Sequence, residues 1–357
     1  MLELDLLRLV AALMVVAAHY VMAGTENFRT SLALGNIFDW GEPAATIANF
    51  GVLGVDIFFM ISGYVIALSA EGRTVRGFLV SRAARILPAF WFCCTVTWLL
   101  VWFEPNYRQI SLAQLLSNLF FVARPLGYEF VDWSYWSLVV EVRFYLMFAC
   151  ALWWRGMQGI CFFLIAWLGM AGMDIAGILP SAVRFIFLPQ YAPYFVAGCA
   201  LFLIGERRQV RRAYVLFAAA LGLACLRTPQ RLTTLFAGQA FVVSGVILLA
   251  AFALWIVATK RSTQFGRPWM ALAGSLTYPL YLIHQQAGYL FIRHFPMTGV
   301  VWIDHRITIT MIAVGLVLLA SYGVMRFVEL PLAPRIRRWL SAPRQTSPDL
   351  TRGAVNV

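Results

Sequence analysis

The sequence predicts an all-α, polytopic integral membrane helix bundle of about ten transmembrane helices, and three observations support that fold class. Hydrophobic residues make up 61% of the 357 residues, charged residues make up 12%, and the mean hydropathy is +0.77. Because so few charges cannot cover a water-exposed surface, most of the chain must face lipid or other helices. Apolar stretches long enough to cross a bilayer recur along the chain. Basic residues also collect in alternate loops, as is typical of multi-pass membrane proteins.

Taken in order, the apolar stretches predict the individual helices. They cover residues 4–23, 50–70, 87–103, 133–153, 159–176, 185–204, 213–227, 236–258, 270–292 and 307–328. The first stretch carries Glu3 and Asp5 where a secretory signal has basic residues, so we expect an uncleaved helix. Pro189 and Pro193 predict a kink in the sixth. The segment 112–122 is too short to cross a bilayer and predicts an interfacial or re-entrant helix.

The distribution of basic residues predicts that both termini are cytoplasmic. This orientation places 19 of the 28 Lys and Arg residues in cytoplasmic segments and eight outside, with Arg143 inside a span. The net charge of +12 then follows from the positive-inside rule, and the chain contains no recognisable nucleic-acid-binding motif. We therefore expect no nucleic-acid partner. The expected organisation is a membrane-embedded domain over residues 1–340 and a short disordered cytoplasmic tail over residues 341–357.

The six cysteines lie in apolar runs and none forms a CxxC or CxxH pair. This pattern favours small buried side chains over disulfides or a structural zinc site, and we expect no bound metal.

Polar residues inside the first span carry the earliest functional signal, because ionisable groups in hydrocarbon are costly. Arg8 and His19 are eleven residues apart, which is about three helical turns, so they share one face of the helix. They are separated by about 16 Å along the helix axis, with Arg8 near the cytoplasmic end. We interpret His19 as functional, against the alternative that it is a packed core histidine.

The next two spans add an acid and a pair of arginines. Asp56 lies roughly 9 Å below the expected outer surface, whereas the nearby Ser62 is also explained by close helix packing. Arg82 and Arg85 stand at the expected cytoplasmic start of the third helix, with Pro88 in its first turn. The two arginines could hold a phosphate bidentately, or they could be ordinary positive-inside anchors.

The fourth span places Ser137, Glu141 and Tyr145 on one face, with Glu141 about 12 Å deep. A structural ion pair between Glu141 and Arg143, or an arginine of another helix, is the competing interpretation. His284 falls in the outer half of the ninth span. The depth estimates therefore group the two histidines and the two acids in the outer half, opposite the three cytoplasmic arginines. That layout suggests an anionic donor that enters from inside and chemistry nearer the outer face.

Together these segments resemble the membrane acyltransferase-3 family, whose bacterial members O-acylate carbohydrates. The resemblance spans nearly the whole chain and is carried, in the family's order, by Arg8-x10-His19, GVDIFFMISGY (54–64), SRAARILPAFW (81–91), WSLVVEVRFY (136–145), SLTYPLYLIH (275–284) and FVELP (327–331). The chain departs from the family at Val142 and Arg143, where many relatives carry Glu and Gln, so Glu141 is the only acid there. We expect the minimal ten-helix form, because no esterase-like domain follows the tenth span.

The resemblance implies transfer of an acyl group, usually acetyl from acetyl-CoA, to a hydroxyl of a cell-surface or exported glycan. An alcohol needs a general base to attack a thioester, and neutral histidine suits that task. The expected roles are catalytic for His19, Glu141 and Asp56, CoA-binding for Arg8, Arg82 and Arg85, and substrate-binding for Ser62, Tyr64, Trp136, Ser137, Tyr281 and His284. Glu141 or Asp56 would orient the imidazole. The expected partners are acyl-CoA, a glycan or glycolipid acceptor and the lipid bilayer of the cell's inner membrane.

Two other classes of protein share some of these features. A transporter or flippase of a polar substrate would also carry polar intramembrane residues and broken helices, although no inverted repeat is visible. A structural scaffold would not need buried His, Asp and Glu together.

Overall fold

The structure is a computed structural model that describes residues 1–22, 42–104, 109–261, 265–294 and 305–341, and every regular element in those ranges is a helix. The helices are α1 (Leu2–Met22), α2 (Glu42–Asn49), α3 (Gly54–Ala70), α4 (Val75–Trp102), α5 (Leu112–Leu119), α6 (Tyr135–Ile175), α7 (Ser181–Phe187), α8 (Ala192–Gly205), α9 (Val210–Arg231), α10 (Ala240–Ala258), α11 (Trp269–His294), α12 (His305–Val324) and α13 (Leu330–Ser341). A π-helical turn, Met325–Glu329, joins α12 to α13.

Within the described ranges, six helical segments are long and apolar enough to cross a membrane. The pair α7 and α8 would make a seventh, and it bends by 53° where the sequence predicted a kink. Helices coincide with all ten predicted apolar stretches. Ten membrane crossings, cytoplasmic termini and the domain boundary at residue 340 stay predictions, and the predicted tail lies, from residue 342 onward, outside the described residues.

The long helix α6 contains a chain reversal at Arg155 and Gly156, whose backbone angles are not helical. A Cβ atom on Gly159 would lie 2.2 Å from the carbonyl oxygen of Ala151, although residues eight apart in a straight helix are separated by about 12 Å. Gly156 has a φ of +58°, a value that favours glycine. The two halves of α6 therefore correspond to the separately predicted fourth and fifth spans.

The helices α1 and α11 run parallel and in close contact. Asp5 lies beside Gly274, and the Tyr20 ring crosses Gly288, so that a Cβ atom on Gly288 would lie 2.0 Å from the Tyr20 hydroxyl. Small residues allow helices to approach this closely. We call the end of the bundle where α1 begins the basic end, because it contains Arg8, and the opposite end the distal end.

The helices α3 and α8 also run parallel, since Phe59 stacks on Phe195, and Tyr64, further along α3, packs on Phe202, further along α8. Their backbones are in direct contact. A Cβ atom on Gly63 would lie 2.1 Å from the Phe195 carbonyl oxygen, and one on Gly198 would lie 1.9 Å from that of Met60. The thiol of Cys199 donates a hydrogen bond to the Gly63 carbonyl at 3.2 Å. All six cysteines are free, and three of them are buried.

The start of the third span differs from the prediction. The helix α4 begins at Val75, after Thr74 caps it by accepting a hydrogen bond from the Gly77 amide at 3.1 Å. Arg82 and Arg85 therefore lie within the helix rather than at its start, and Pro88 is in the interior rather than in the first turn. The sequence pattern predicted too late a start for this helix, because arginines lower the local hydropathy. Long arginine side chains can nevertheless extend towards water from inside a helix.

Candidate active site

Two histidines meet where α1 lies against α11. The Nδ1 atom of His19 and the Nε2 atom of His284 are 2.8 Å apart, and the two rings are stacked with centroids 5.0 Å apart. His284 is fully buried and His19 is partly buried. The spacing between the two residues along the chain is 265, so only the tertiary fold brings them together.

The hydrogen bonds of this pair fix the tautomer of each ring. His284 Nδ1 lies 2.9 Å from the carbonyl oxygen of Tyr281, which can only accept, so Nδ1 of His284 carries the proton. In the neutral ring, Nε2 of His284 must then accept from Nδ1 of His19. The lone pair of His19 is therefore on Nε2, the state that a general base requires.

Tyrosines from three helices hold the backbones around the histidine pair. Tyr20 donates to the His284 carbonyl at 2.8 Å, and Tyr289 donates to the His19 carbonyl at 3.1 Å. Tyr135, at the start of α6, donates to the carbonyl of Leu282 at 3.1 Å. These bonds connect α1, α6 and α11 and restrict the motion of one histidine relative to the other.

Asp132 is a fully buried acid that the sequence analysis did not single out. Its carboxylate accepts hydrogen bonds from the amide and hydroxyl of Ser134, at 2.8 and 2.7 Å, and from the amide of Gln286 at 3.1 Å. Burial raises the pKa of Asp132 to about 6, whereas these hydrogen bonds act in the opposite direction. Asp132 thereby ties the segment before α6 to α11, two residues after His284.

The three predicted arginines line one cavity of about 130 Å³, which lies between α1, α3, α4, α6 and α11. Its polar lining consists of Arg8, Ser62, Arg82, Arg85, Ser137, Glu141, Tyr145, Thr277, Tyr278 and Tyr281. Three guanidinium groups and one carboxylate stand in this lining, and guanidinium groups are donors that suit the geometry of a phosphate. Tyr281 connects the cavity to the histidine pair, because its carbonyl binds His284 and the two rings are 5.6 Å apart.

Each arginine has a polar neighbour. Arg8 donates to Asp5 at 2.9 Å, and Arg82 donates to the hydroxyl of Ser81 at 3.3 Å. Arg85 pairs with Glu329 of the π-helical turn and lies 5.6 Å from the centre of the Tyr278 ring. Glu329 lies in the FVELP segment, and no local sequence pattern indicates Arg85 as its partner.

Glu141 lines this cavity and does not contact either histidine within the described part of the chain. Its Oε1 atom accepts from Ser62 and, at 2.5 Å, from Tyr145. Arg143 instead donates to the Phe185 carbonyl at 2.6 Å, so the competing ion pair between Glu141 and Arg143 is absent among the described residues. Glu141 therefore lies with Arg8, Arg82 and Arg85, whereas the depth estimates grouped it with the two histidines.

Asp56 is bound to an arginine rather than to a histidine. Both of its carboxylate oxygens lie 2.6 Å from Nη2 of Arg231, at the end of α9, and the Asp56 side chain is fully buried. The Arg231 guanidinium also lies over the rings of Tyr191 and Tyr194. His284 therefore occupies the position against His19 that was predicted for Asp56 or Glu141.

The remaining predicted substrate residues divide between the two ends of the bundle. The hydroxyls of Ser137 and Tyr281 are 2.5 Å apart in the cavity wall. Trp136 packs against Phe59 and Tyr191 towards the distal end, with ring centroids 6.1 and 5.4 Å away. Tyr64 lies at the basic end, where its hydroxyl donates to the sulfur of Met1 at 3.6 Å.

Comparison with known proteins identifies a protein family that matches this chain. Residues 1–326 match the family model described as an acyltransferase domain. No solved structure matches the chain.

Curated relatives are similar to this chain over part of their length. The exopolysaccharide production protein ExoZ of Rhizobium meliloti is 29% identical over 203 residues, which cover 52% of this chain and 62% of ExoZ. A putative peptidoglycan O-acetyltransferase, YrhL of Bacillus subtilis, is 32% identical over 156 residues, 36% of this chain and 23% of YrhL. An O-acetyl transferase of Shigella phage Sf6 is 28% identical over 165 residues, 42% of this chain and 45% of the relative. The chain thus matches less than two thirds of each of these proteins.

Proposed function

The chain belongs to the family described by the acyltransferase domain and is an acyltransferase, and we propose that it is a membrane O-acyltransferase. In this proposal it moves an acyl group, acetyl in the first instance, from acyl-CoA to a hydroxyl of a cell-surface or exported glycan. The relatives named for exopolysaccharide production and for peptidoglycan O-acetylation support the choice of a glycan acceptor. The enzyme is proposed to act in the cell's inner membrane.

The observation that carries the proposal is the chain of hydrogen bonds from the Tyr281 carbonyl through His284 to His19. It leaves the lone pair on Nε2 of His19, which takes the proton of the acceptor hydroxyl as the oxygen attacks the thioester carbonyl. The tetrahedral intermediate then releases the CoA thiolate, which recovers the proton from His19. The products are the glycan ester and free CoA, and the histidine returns to its starting state.

The cavity at the basic end is the proposed donor site. CoA carries several phosphate groups, and Arg8, Arg82 and Arg85 offer planar guanidinium groups that match phosphate geometry. Arg8 and His19 are separated by about 16 Å along α1, which is compatible with a pantetheine arm between the phosphates and the thioester. Glu141, fixed by Ser62 and Tyr145, lies in the wall along that path.

The acceptor is proposed to approach from the distal end. Trp136 lies on that side of Ser137 and Tyr281 and offers an aromatic face, a surface on which sugars commonly pack. Donor and acceptor would then reach His19 from opposite ends of the bundle, through a path lined by protein.

The test is to delete the gene and to restore it with variants, followed by NMR of the cell-surface glycans. The native chain should restore a base-labile ester signal that the deletion loses, and His19→Ala should not, although it is expressed and inserted equally well. The matched control is His294→Ala, because this exposed histidine lies on α11 and pairs with Glu104, away from the histidine pair. Restoration of the ester by His19→Ala would contradict the assignment. Loss of the glycan itself from the surface would favour a transporter or flippase.

A further inference from the structure

A groove on the outside of the bundle separates the second half of α6 from α9. Its volume is about 800 Å³, and its walls are formed by Ile165, Leu168, Gly169 and Gly172 of α6 and by Arg211, Arg212, Val215, Leu216, Ala219 and Leu223 of α9. Apart from the two arginines every lining side chain is apolar or absent. The groove is separate from the cavity that contains Glu141 and shares no lining residue with it.

The two helices run parallel, which gives the groove two different ends. At the distal end the helices are joined by the ion pair of Arg227 with Asp174 at 2.9 Å. At the basic end Arg211 and Arg212 stand in the first turn of α9. From Arg211 to Leu223 the groove extends for about 18 Å along the helix axis. It is therefore an apolar channel with positive charge at one end only.

The shape and exposure of the groove suit an acyl chain. Gly169 and Gly172 leave open space, because a Cβ atom on either residue would meet no atom within 4 Å. The side chains of Ile165 and Val215 are 61% and 65% exposed, as expected for residues that face lipid in a membrane bundle.

The charge at the basic end selects the kind of lipid. The nearby Arg208 is neutralised by Glu71. By contrast, Arg211 and Arg212 are exposed and have no acidic group within 4 Å among the residues that the structure describes. Two adjacent guanidinium groups at the mouth of an apolar groove complement a phosphate on an acyl chain, and basic pockets between transmembrane helices bind anionic lipids in this way.

We propose that this groove is a binding site for an anionic phospholipid, with the phosphate at Arg211 and Arg212 and an acyl chain between the second half of α6 and α9. The site does not depend on the proposed catalytic chemistry, since none of its residues contacts the histidine pair or the arginine cavity. A lipid bound there would contact both the second half of α6 and α9.

The test is native mass spectrometry of the detergent-purified full chain titrated with phosphatidylglycerol or with phosphatidylcholine of the same acyl chains. The native protein should retain phosphatidylglycerol more tightly. The double variant Arg211→Ala/Arg212→Ala should weaken its retention roughly 30-fold, since each arginine near a membrane surface contributes a factor of about five. The control Arg337→Ala/Arg338→Ala, on α13, removes the same charge from another exposed helix and should change retention less than twofold.

A second variant tests the apolar part of the groove independently of its two arginines. Gly169→Leu should fill the groove without touching the arginines and should also lower phosphatidylglycerol retention, whereas Gly315→Leu, at an equally open position of α12, should not. Equal binding of the two lipids would overturn the proposal, as would equal loss in the arginine control. Unchanged binding by Gly169→Leu, or displacement of the lipid by the same concentration of glycerol phosphate, would indicate a surface phosphate contact only and would also overturn it.

Discussion

At the scale of single residues, the proposed chemistry depends on which nitrogen of His19 carries a proton. The Tyr281 carbonyl determines this state through His284, because a carbonyl can only accept and each neutral imidazole has one donor and one acceptor. An acid was the expected partner of His19, by analogy with an acid–base dyad. A second histidine sets the tautomer equally well but brings no negative charge to stabilise the imidazolium ion.

This geometry makes His284 a positioning residue, which substitution can test. His284→Leu removes the acceptor for Nδ1 of His19 and should lower kcat by about 10²- to 10⁴-fold, the range by which positioned acid–base groups contribute. His284→Gln offers a side-chain carbonyl to the same atom and should recover most of that loss. The KM for acyl-CoA should change less than threefold in both variants. Equal activities of the Leu and Gln variants in a steady-state assay would show that His284 only fills space.

Residue patterns along the chain predicted part of the candidate site. The rest could not be predicted because it depends on contacts between segments that are distant in sequence. The spacing of Arg8 and His19 holds because both lie on one unbroken helix. The partners of Asp56 and Arg85 are 175 and 244 residues away in sequence. They lie on other elements, and a local sequence pattern does not indicate which distant elements pack together. Asp132 was overlooked because it lies between helices, where an acid is usually solvated.

At the scale of helices, glycine contacts determine how the elements that carry the site fit together. The backbone contact of α3 with α8 places Ser62 of α3 against α6, and that of α1 with α11 places His19 against His284. The element boundaries were predicted well where apolar residues end at a polar loop. They were predicted poorly for α4, whose first turns carry arginines, and well for α6, whose reversal at Arg155 and Gly156 falls between the predicted fourth and fifth spans.

The contact of α3 with α8 predicts a large difference between two glycine substitutions. Gly198→Ala places a methyl group against the Met60 backbone, which cannot move without displacing α3, and should destabilise the protein by about 1–3 kcal/mol. Gly315→Ala meets open space on α12 and should leave stability unchanged or raise it by up to about 1 kcal/mol. Thermal unfolding midpoints in detergent measure both. A similar decrease in the two variants would contradict the close contact.

At the scale of the whole molecule, the charged groups are arranged by end. The basic end contains the arginine cavity, the Glu329 pair of Arg85 and the mouth of the lipid groove at Arg211. The distal half contains Trp136, the Asp56–Arg231 pair and the histidine pair, which lies near the end of α1. These two different ends fit the proposal that a phosphorylated donor and a glycan meet from opposite sides of a membrane.

The central proposal is that acyl-CoA enters at the basic end and that His19 acts as the base when the acyl group moves to a glycan hydroxyl. The most direct test uses sealed inside-out membrane vesicles with radiolabelled acetyl-CoA outside and the glycan in the lumen. The native protein should place label in the luminal glycan as a base-labile ester. His19→Ala should give no label, and Arg85→Ala should require a higher acetyl-CoA concentration while its apparent KM for the glycan changes little. Label in the glycan at the native rate with His19→Ala, or only when donor and glycan share one compartment, would contradict this mechanism.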